Sequence, residues 1–532
     1  MKIQSIQRKS SNFFSENQLL LSENQSEILE FINLPFSKSA FKKQADLKAK
    51  DYSFDKRSLL FTTLNNIYKT LPDNQLCLNN INALKNQNCF TITTGHQLSL
   101  LTGPIYFIYK IIHILKQCAE LNKLHKDIQF VPVYWMAAED HDFEEIKSIL
   151  LFGKSYSWKT NSKGAVGRMP IDGIDEVKKE IKQVFQNNKS HELEDWIEKL
   201  SGKSYAEAFL NLIHHLFGKY GLLILNADNK ELKKSFSPII KQELNSFFSE
   251  KEVLRTNKKL LAKGIKPQVN PREINLFFLS KNKRERIIHD NGYYSIGKLK
   301  YTKDELLKLL ELSPESFSPN VILRPLYQEF ILPNLCYVGG LSEINYWIQL
   351  KSCFENAKVI FPILQVRSSL IWINKTTKNK MNAIGINEAD IFKPISELLN
   401  NYLRLDTKDT IDFVKVRIHL NSLIKEITQE TKKVDQALIP YVSAELTRIE
   451  KQLEGIQHKL EKGIKIKHEK VLNTINQIKE NLFPNNEFQE RSLNFLHLCT
   501  DGFISKHIET IFLNINPFNS DILILTEDNE TK

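Results

Sequence analysis

No two cysteines in this chain stand close enough to form a CxxC pair. Cys77, Cys89, Cys118, Cys336, Cys353 and Cys499 are scattered, several of them in apolar runs where cysteine is a small core residue. Neither a zinc site nor a disulfide framework is expected from that pattern, and no His/Cys set has the spacing of a permanent metal site. Uninterrupted apolar runs never reach the roughly 18 residues needed to cross a bilayer, and the first eight residues lack the apolar core of a secretion signal. A cytoplasmic protein without a membrane partner is therefore expected. The net charge of +11 comes without any arginine-rich block interleaved with aromatics, and lysines are spread along the chain. Such a balance suits an anionic small molecule such as a nucleotide, and no nucleic-acid partner is expected. Phosphate-binding glycine motifs are missing as well. No GxGxxG follows the first strong strand and no GxxxxGK[ST] occurs, which removes support for dinucleotide and P-loop readings.

What is present describes a globular protein: 532 residues, 42% hydrophobic and 25% charged, enough for about three domains. The chain is organised around Cys89 to Glu145. Cys89-Phe-Thr-Ile-Thr-Thr94 is a β-type run that ends at Gly95-His96-Gln97. Thr102-Gly103-Pro104 then supplies a helix start, because proline in the first turn gives up an amide hydrogen that has no partner there. Ile105, Ile108, Ile112 and Leu115 follow at helical spacing, and Tyr106, Phe107 and Ile111 make most of the circumference apolar, as for a helix covered on several sides. Phe130 to Met136 reads as a buried strand, with Pro132 arguing for an edge or bulge, and leads to Glu139-Asp140-His141-Asp142. Strand, turn, helix and strand form a βαβ unit, whose strand carboxyl ends are the ligand side of an open parallel sheet. His96 is a candidate phosphate contact at a helix entry, with a backbone-bonded turn histidine as the structural alternative. Asp140 and Asp142 can each cap the next helix, or hold an ammonium group or a magnesium ion travelling with ATP.

Before about Asn88, helical patterns predict a flank for the sheet. The helix signal after Glu145 continues to about Leu151, and residues 152–173 read as loops or a hairpin. From there Arg168 could reach a ligand anion or stand as a surface arginine. Helices near 174–186 and 203–218 lead to a buried strand, Tyr220 to Asn226, that ends at Asp228. Residues 264–288 hold Arg272, a strand-like Ile274 to Leu279, and a basic cluster, Lys281, Lys283, Arg284 and Arg286, which could steer a phosphate although such runs are usually solvated faces. Asn334 to Val338 ends at Gly339-Gly340 before a helix with Glu343. Glycines at such a junction let backbone amides approach an anion, although tight turns need the same residues. Beside the first unit this suggests the second half of a doubly wound sheet, with a further strand at Lys358 to Leu364. Beyond Leu398, Leu420, Ile424, Ile427, Val434 and Leu438 precede Pro440, while Leu446, Ile449, Leu453, Ile456 and Leu460 follow it. That spacing is a coiled-coil seam, which Pro440 should break into two helices or kink, and seams of this kind serve association.

Several stretches resemble the cysteine ligases of bacillithiol biosynthesis. They are TGHQLSLLTGPIYFIYK, VPVYWMAAEDHDFEEI, the run from Leu323 to Glu329 leading into Cys336 to Tyr346, and Leu482 to Arg491. Their order and spacing cover most of the chain. One departure is His96, which stands where the family commonly has the first glutamine of Thr-Gly-Gln-Gln. The Gly-His turn is also similar to the His-and-Gly loop of class I aminoacyl-tRNA synthetases and related ligases, which holds ATP phosphates during carboxylate activation.

The resemblance implies an α/β enzyme with a Rossmann-like doubly wound parallel sheet, inserted connecting segments and a C-terminal α-helical coiled coil. The expected divisions are a helical flank over 1–88, the first core half over 89–151, and connecting segments with further core strands over 152–319. The second core half follows over 320–397, then the coiled coil over 398–482 and a return to the core over 483–532. The activity implied is addition of cysteine to glucosaminyl-malate through an amide bond, with ATP and Mg2+ and no permanent metal, in a homodimer joined by the coiled coil. Alternatives are a class I nucleotidyltransferase-like ligase acting on another acid, or a coiled-coil scaffold whose nucleotide-binding core has lost its chemistry. Candidate catalytic residues are His96, Asp140 and His141. Candidate binding residues are Thr94, Gly95, Gln97, Thr102, Gly103, Asp142, Arg168, Arg324, Gly339, Gly340, Glu343 and Tyr346, of which Arg324 and Tyr346 come from the family stretches.

Overall fold

The computed structural model describes residues 1–20, 22, 26–187, 190–406 and 413–527. Expected divisions that run into 407–412 or 528–532 fall there outside the described residues. The chain separates into two compact units, one of Ile3–Trp372 with Phe488–Leu525, the other built mainly of Ile373–Glu487.

The larger unit is organised on five parallel strands: β1 (Cys89–His96), β2 (Gln129–Met136), β3 (Leu223–Asn226), β4 (Asn334–Gly339) and β5 (Ile363–Val366). Their spatial order is β5-β4-β1-β2-β3. The chain therefore moves outward from β1 to β3, then returns to the other side of β1 for β4 and β5. A doubly wound sheet of this order opens a crevice at its switch point, between the carboxyl ends of β1 and β4. Both faces are covered, and the period of two in a strand sorts the side chains between them. Phe90, Ile92, Phe130, Tyr134 and Ile224 enter one apolar cluster with the helix α1 (Tyr106–Leu124). Cys89, Val131, Val133, Trp135, Leu223 and Leu225 enter the other, with Tyr68, Phe236 and Tyr327.

Pro132 does not push β2 to the edge. It pairs opposite Ile92 on β1, while β3 begins opposite Val133, so the proline stands just beyond the end of the shorter neighbour and leaves no ladder donor missing there. The segment after Glu145 also differs from expectation. The helix is only Phe143–Ile146, and Ser148–Leu151 pairs with Lys154–Ser157 as a hairpin whose turn carries Phe152 and Gly153 at positive φ. A second sheet, antiparallel, takes up Leu276–Ser280, Lys283–Asp290, Tyr293–Ile296, Leu299–Tyr301 and Phe317–Pro319. Its first long strand is legible in the sequence; the short ones near 293–301 are not, being polar and glycine-punctuated. A third sheet orders Lys2–Ile6, Ile522–Thr526 and Ser369–Ile373 side by side.

In the smaller unit, helices Phe413–Val434 and Ile439–Lys467 pack on one another, with the chain turning over Gln436–Leu438. Pro440 is the second residue of the later helix, where its missing N–H costs nothing, so it starts a helix and does not kink one. Arg417 donates to Gln457 Oε1 across the pair at 3.0 Å. Leu446 is buried, whereas Ile418, Ile449, Ile456 and Leu460 remain exposed.

Candidate active site at the strand carboxyl ends

A cavity of about 580 Å³ lies at the switch point. Gly95, His96 and Gln97 enter it from the end of β1, Glu139 and Asp140 from beyond β2, and Tyr337 and Glu343 from β4 and the helix α2 (Leu341–Trp347) that follows it. Its far wall belongs to the antiparallel sheet and the loops around it, which contribute Arg272, Arg284 and Arg286, with Arg324 and Tyr346 beside them.

Each carboxylate in the cavity already has a donor. Glu343 is ion-paired with Lys110 of α1 and accepts from the Tyr337 hydroxyl at 3.1 Å. Lys110 has no exposed side-chain surface, and its ammonium also donates to the Gly95 carbonyl at 3.0 Å, tying the ends of β1 and α2 together. Burial drives its pKa below the usual lysine value, and Glu343 only partly restores it. Asp140 accepts from Gln97 Nε2 at 2.6 Å and from the His141 amide at 2.8 Å, with Arg284 Nη1 at 3.6 Å. Burial works against that charge, but these donors outweigh it and hold the carboxyl below its ordinary range. Glu139 is paired with Lys233, which also lies 3.2 Å from Asp228; burial raises the Glu139 pKa.

The arginines are less matched. Arg324 donates to the neutral Tyr346 hydroxyl and Gln328 amide oxygen, both at 3.1 Å, and lies 5.9 Å from the rings of Tyr337 and Trp347. Arg284 rests on Phe277 at 4.2 Å and donates to Ser318 and Pro319. With the acids neutralised internally, the cavity presents an excess of guanidinium groups, which suit carboxylate or phosphate oxygens in bidentate geometry.

His96 packs between Tyr106 and Phe107, 5.3 and 5.0 Å from their ring centres, and its Nε2 is buried without a hydrogen-bond partner among the described residues. Burial, with Lys110 and Arg367 nearby, holds its pKa well below the imidazole norm. The ring is thus neutral, offering one donor and one acceptor but no charge to a phosphate.

The cavity thus brings together Gly95, His96, Gln97, Asp140, Arg324, Glu343 and Tyr346. The other candidates stand elsewhere. Thr94 spends its hydroxyl on the Val338 carbonyl at 2.7 Å, bracing β1 against β4. Thr102 and Gly103 do not form an open helix entry. Leu101 and Thr102 hold positive φ, Asn494 donates to the carbonyls of Leu101 and Gly103, and the Ile105 amide donates to Leu493, so chain 493–494 covers the start of α1. Arg168 is committed to Asp228, at 2.7 Å, and to the Glu315 carbonyl. Asp142 is exposed and precedes Phe143–Ile146 without a side-chain cap bond. His141 turns into a neighbouring cavity. Gly339 and Gly340 act on the site through Glu343: a Cβ at 339 would meet its Oε2 at 2.9 Å.

Several residues escaped the sequence reading. Lys110 had a signal, a lone lysine in an otherwise apolar run, which inside a buried helix requires a partner. Arg284 is partly covered and Arg286 is exposed, yet both line the cavity. Alternate positions on one strand share a face, and this face is the cavity wall. Arg367 lies 2.7 Å from Glu490 and 4.9 Å from the Tyr106 ring, while Glu490 and Gln489 accept from the amides of Leu370 and Trp372. Gln489 and Glu490, from the end of the family stretch Leu482 to Arg491, thereby brace the chain around Arg367.

Two family models match in succession: bacillithiol biosynthesis BshC, N-terminal Rossmann-like domain, over residues 1–368, and its C-terminal coiled-coil domain over 370–527. The chain belongs to the BshC family. Relatives named "Putative cysteine ligase BshC" include one from Flavobacterium psychrophilum, 40% identical over 93% of this chain and 94% of its own. Another from Flavobacterium johnsoniae is 37% identical over 92% and 93%, and one from Bacillus anthracis is 28% identical over 91% and 94%. The split of the family models near 369 falls close to the boundary of the two compact units at Trp372 and Ile373. No helix among the described residues is long and apolar enough to cross a membrane.

Proposed function

We propose that this protein is a ligase that joins the carboxyl of cysteine to the amine of glucosaminyl-malate, using ATP with Mg2+ to make the carboxyl a better electrophile. The observation that carries the reading is the charge balance of the switch-point cavity, taken with family membership. Its acids are paired, and its arginines 272, 286 and 324 face it without an ion-paired carboxylate among the described residues, as a site for anionic substrates requires. The arginines fit phosphate oxygens. In this reading Mg2+ arrives with the nucleotide phosphates.

In this reading the chain's own groups orient and do not themselves form bonds. Asp140, fixed by Gln97 and Arg284, offers a charged oxygen to the cysteine ammonium. Arg324 and Arg286 neutralise oxygens around the reacting carboxyl. His96, neutral, supplies a hydrogen-bonding edge without repelling the ammonium.

The coiled coil serves as a homodimer contact, supported by the exposed Ile418, Ile449, Ile456 and Leu460 on its two long helices. Six buried, unpaired thiols fit a cytoplasmic protein. Incubating the purified protein with ATP, cysteine and glucosaminyl-malate, with mass spectrometry of the products, tests the activity. The cysteinyl amide is expected; its absence with all substrates present refutes the reading, and formation of an amide on another acid would favour the broader ligase alternative.

A further inference from the structure

The end of β2 faces two cavities. Asp140 lines the switch-point cavity, whereas the next residue, His141, lines a second cavity of about 1010 Å³. Arg284 belongs to both walls. Its Nη1 lies 3.6 Å from Asp140 Oδ1 and 3.4 Å from His141 Nδ1, which are themselves 3.6 Å apart, so the three groups cluster where the two cavities adjoin. Phe277 beneath it, with Ser318 and the Pro319 carbonyl at 3.2 Å, holds it at this junction.

The second cavity has a built wall. The loop over 159–164 is pressed against the turn at Asn282: Gly164 holds φ +102, and a Cβ there would stand 2.9 Å from the Asn282 backbone. Of the four lysines in the lining, Lys147 is paired with Glu144 at 2.6 Å and Lys283 with Glu285 at 3.6 Å. Lys159 and Lys163 have no ion-pair partner among the described residues, and between them lie Thr160, Asn161 and Ser162, a run of hydroxyl and amide groups. Carboxylate oxygens suit the two free ammonium groups, and sugar hydroxyls suit the polar run. The volume is at the upper end of the range for small-molecule sites.

We propose that this second cavity is the subsite of the amine acceptor. Lys159 and Lys163 hold the acceptor's two carboxylates, the 160–162 run meets its hydroxylated ring, and the amine points past His141 to the junction of the two cavities. Cysteine, on the Asp140 side, then meets it at that junction. Two substrates in adjoining cavities need no exchange of places before the amide forms, which is what close, oriented reactants require. The assignment rests on the ligase reading above.

The test is the double variant Lys159→Met/Lys163→Met, compared with wild type in steady-state amide formation. Loss of two charge-assisted contacts should raise the KM for glucosaminyl-malate roughly tenfold. The KM values for cysteine and ATP should stay within about twofold, as should the use of glucosamine, which has no carboxylates to lose. An acceptor KM that does not move overturns the subsite. Titration calorimetry with glucosaminyl-malate separates this from failure of the ligase reading. If wild type makes no amide but binds the acceptor and the variant does not, the subsite stands and the activity falls. If both bind it equally, the subsite falls whatever the activity.

Discussion

Replacing Lys110 by methionine tests the arrangement of the switch point most directly. The side chain is fully buried, donates to the Gly95 carbonyl at 3.0 Å and neutralises Glu343. Removing one member of a buried ion pair costs ~3–5 kcal/mol, because the other charge is left without compensation. Glu343 retains 29% side-chain exposure and the Tyr337 hydroxyl, so part of its carboxylate rehydrates, and the expected loss is ~2–3 kcal/mol. Lys110→Met/Glu343→Gln removes both charges and should lose only ~1 kcal/mol, well short of the sum of the two single losses. The assay is urea unfolding followed by tryptophan fluorescence. All five tryptophans, at 135, 158, 196, 347 and 372, belong to the larger unit, so the signal reports that unit alone. A pH series adds an independent check. Folding depresses the Lys110 pKa, so between the depressed value and 10.5 the unfolded chain binds the extra proton, and stability rises with pH there. Lys110→Met should flatten that rise. Single and double variants that lose stability additively, or a single variant within ~0.5 kcal/mol of wild type, would refute the pair's role in holding β1 to α2.

Other outcomes follow from the same geometry. Gly339→Ala would press on Glu343 Oε2 at 2.9 Å and should lower kcat roughly tenfold while leaving thermal unfolding nearly unchanged; full activity would show that Glu343 can move freely. His96→Ala should reduce amide formation with little effect on folding, and Asp140→Asn should mainly raise the KM for cysteine, by ~10-fold or more for one lost charge-assisted bond. Wild-type rates in both, with cysteine and ATP each limiting, would leave the two residues structural. Leu453→Lys/Ile456→Lys should convert a dimer to monomers in mass photometry, and a wild-type monomer at micromolar concentration removes the association reading. In the smaller unit, burial opposes the charge of Glu388, but hydrogen bonds from Lys378 and Lys2 outweigh it and lower its pKa to about 2. Its contribution is therefore complete above 4.5 and lost as pH falls toward 2, a decline that circular dichroism should show in wild type and not in Glu388→Gln.

The parallel sheet was legible because each of its strands is a short apolar run that ends in small or polar residues, a local pattern that needs no knowledge of the partner strand. The same locality explains what was not legible. Asp140 and His141 are adjacent in sequence at one strand end, and nothing in the sequence says that they line different cavities; the residue that lines both beside them is Arg284, 143 residues beyond His141. A basic run such as 281–286 is exposed in most proteins, and only pairing with Leu276–Ser280 sets alternate arginines toward a cavity. Thr102-Gly103-Pro104 reads as an open helix entry for a phosphate until Asn494, nearly four hundred residues later, closes it. The consequence is chemical. With the helix start closed and the acids paired, positive charge reaches the cavity on arginine side chains and not on backbone amides. Guanidinium groups carried on a separate antiparallel sheet can be placed to read the shape of a substrate's anions, whereas a helix end can only attract them. The specificity of this site is therefore expected to reside in Arg272, Arg284 and Arg286, outside the βαβ units that make the fold recognisable.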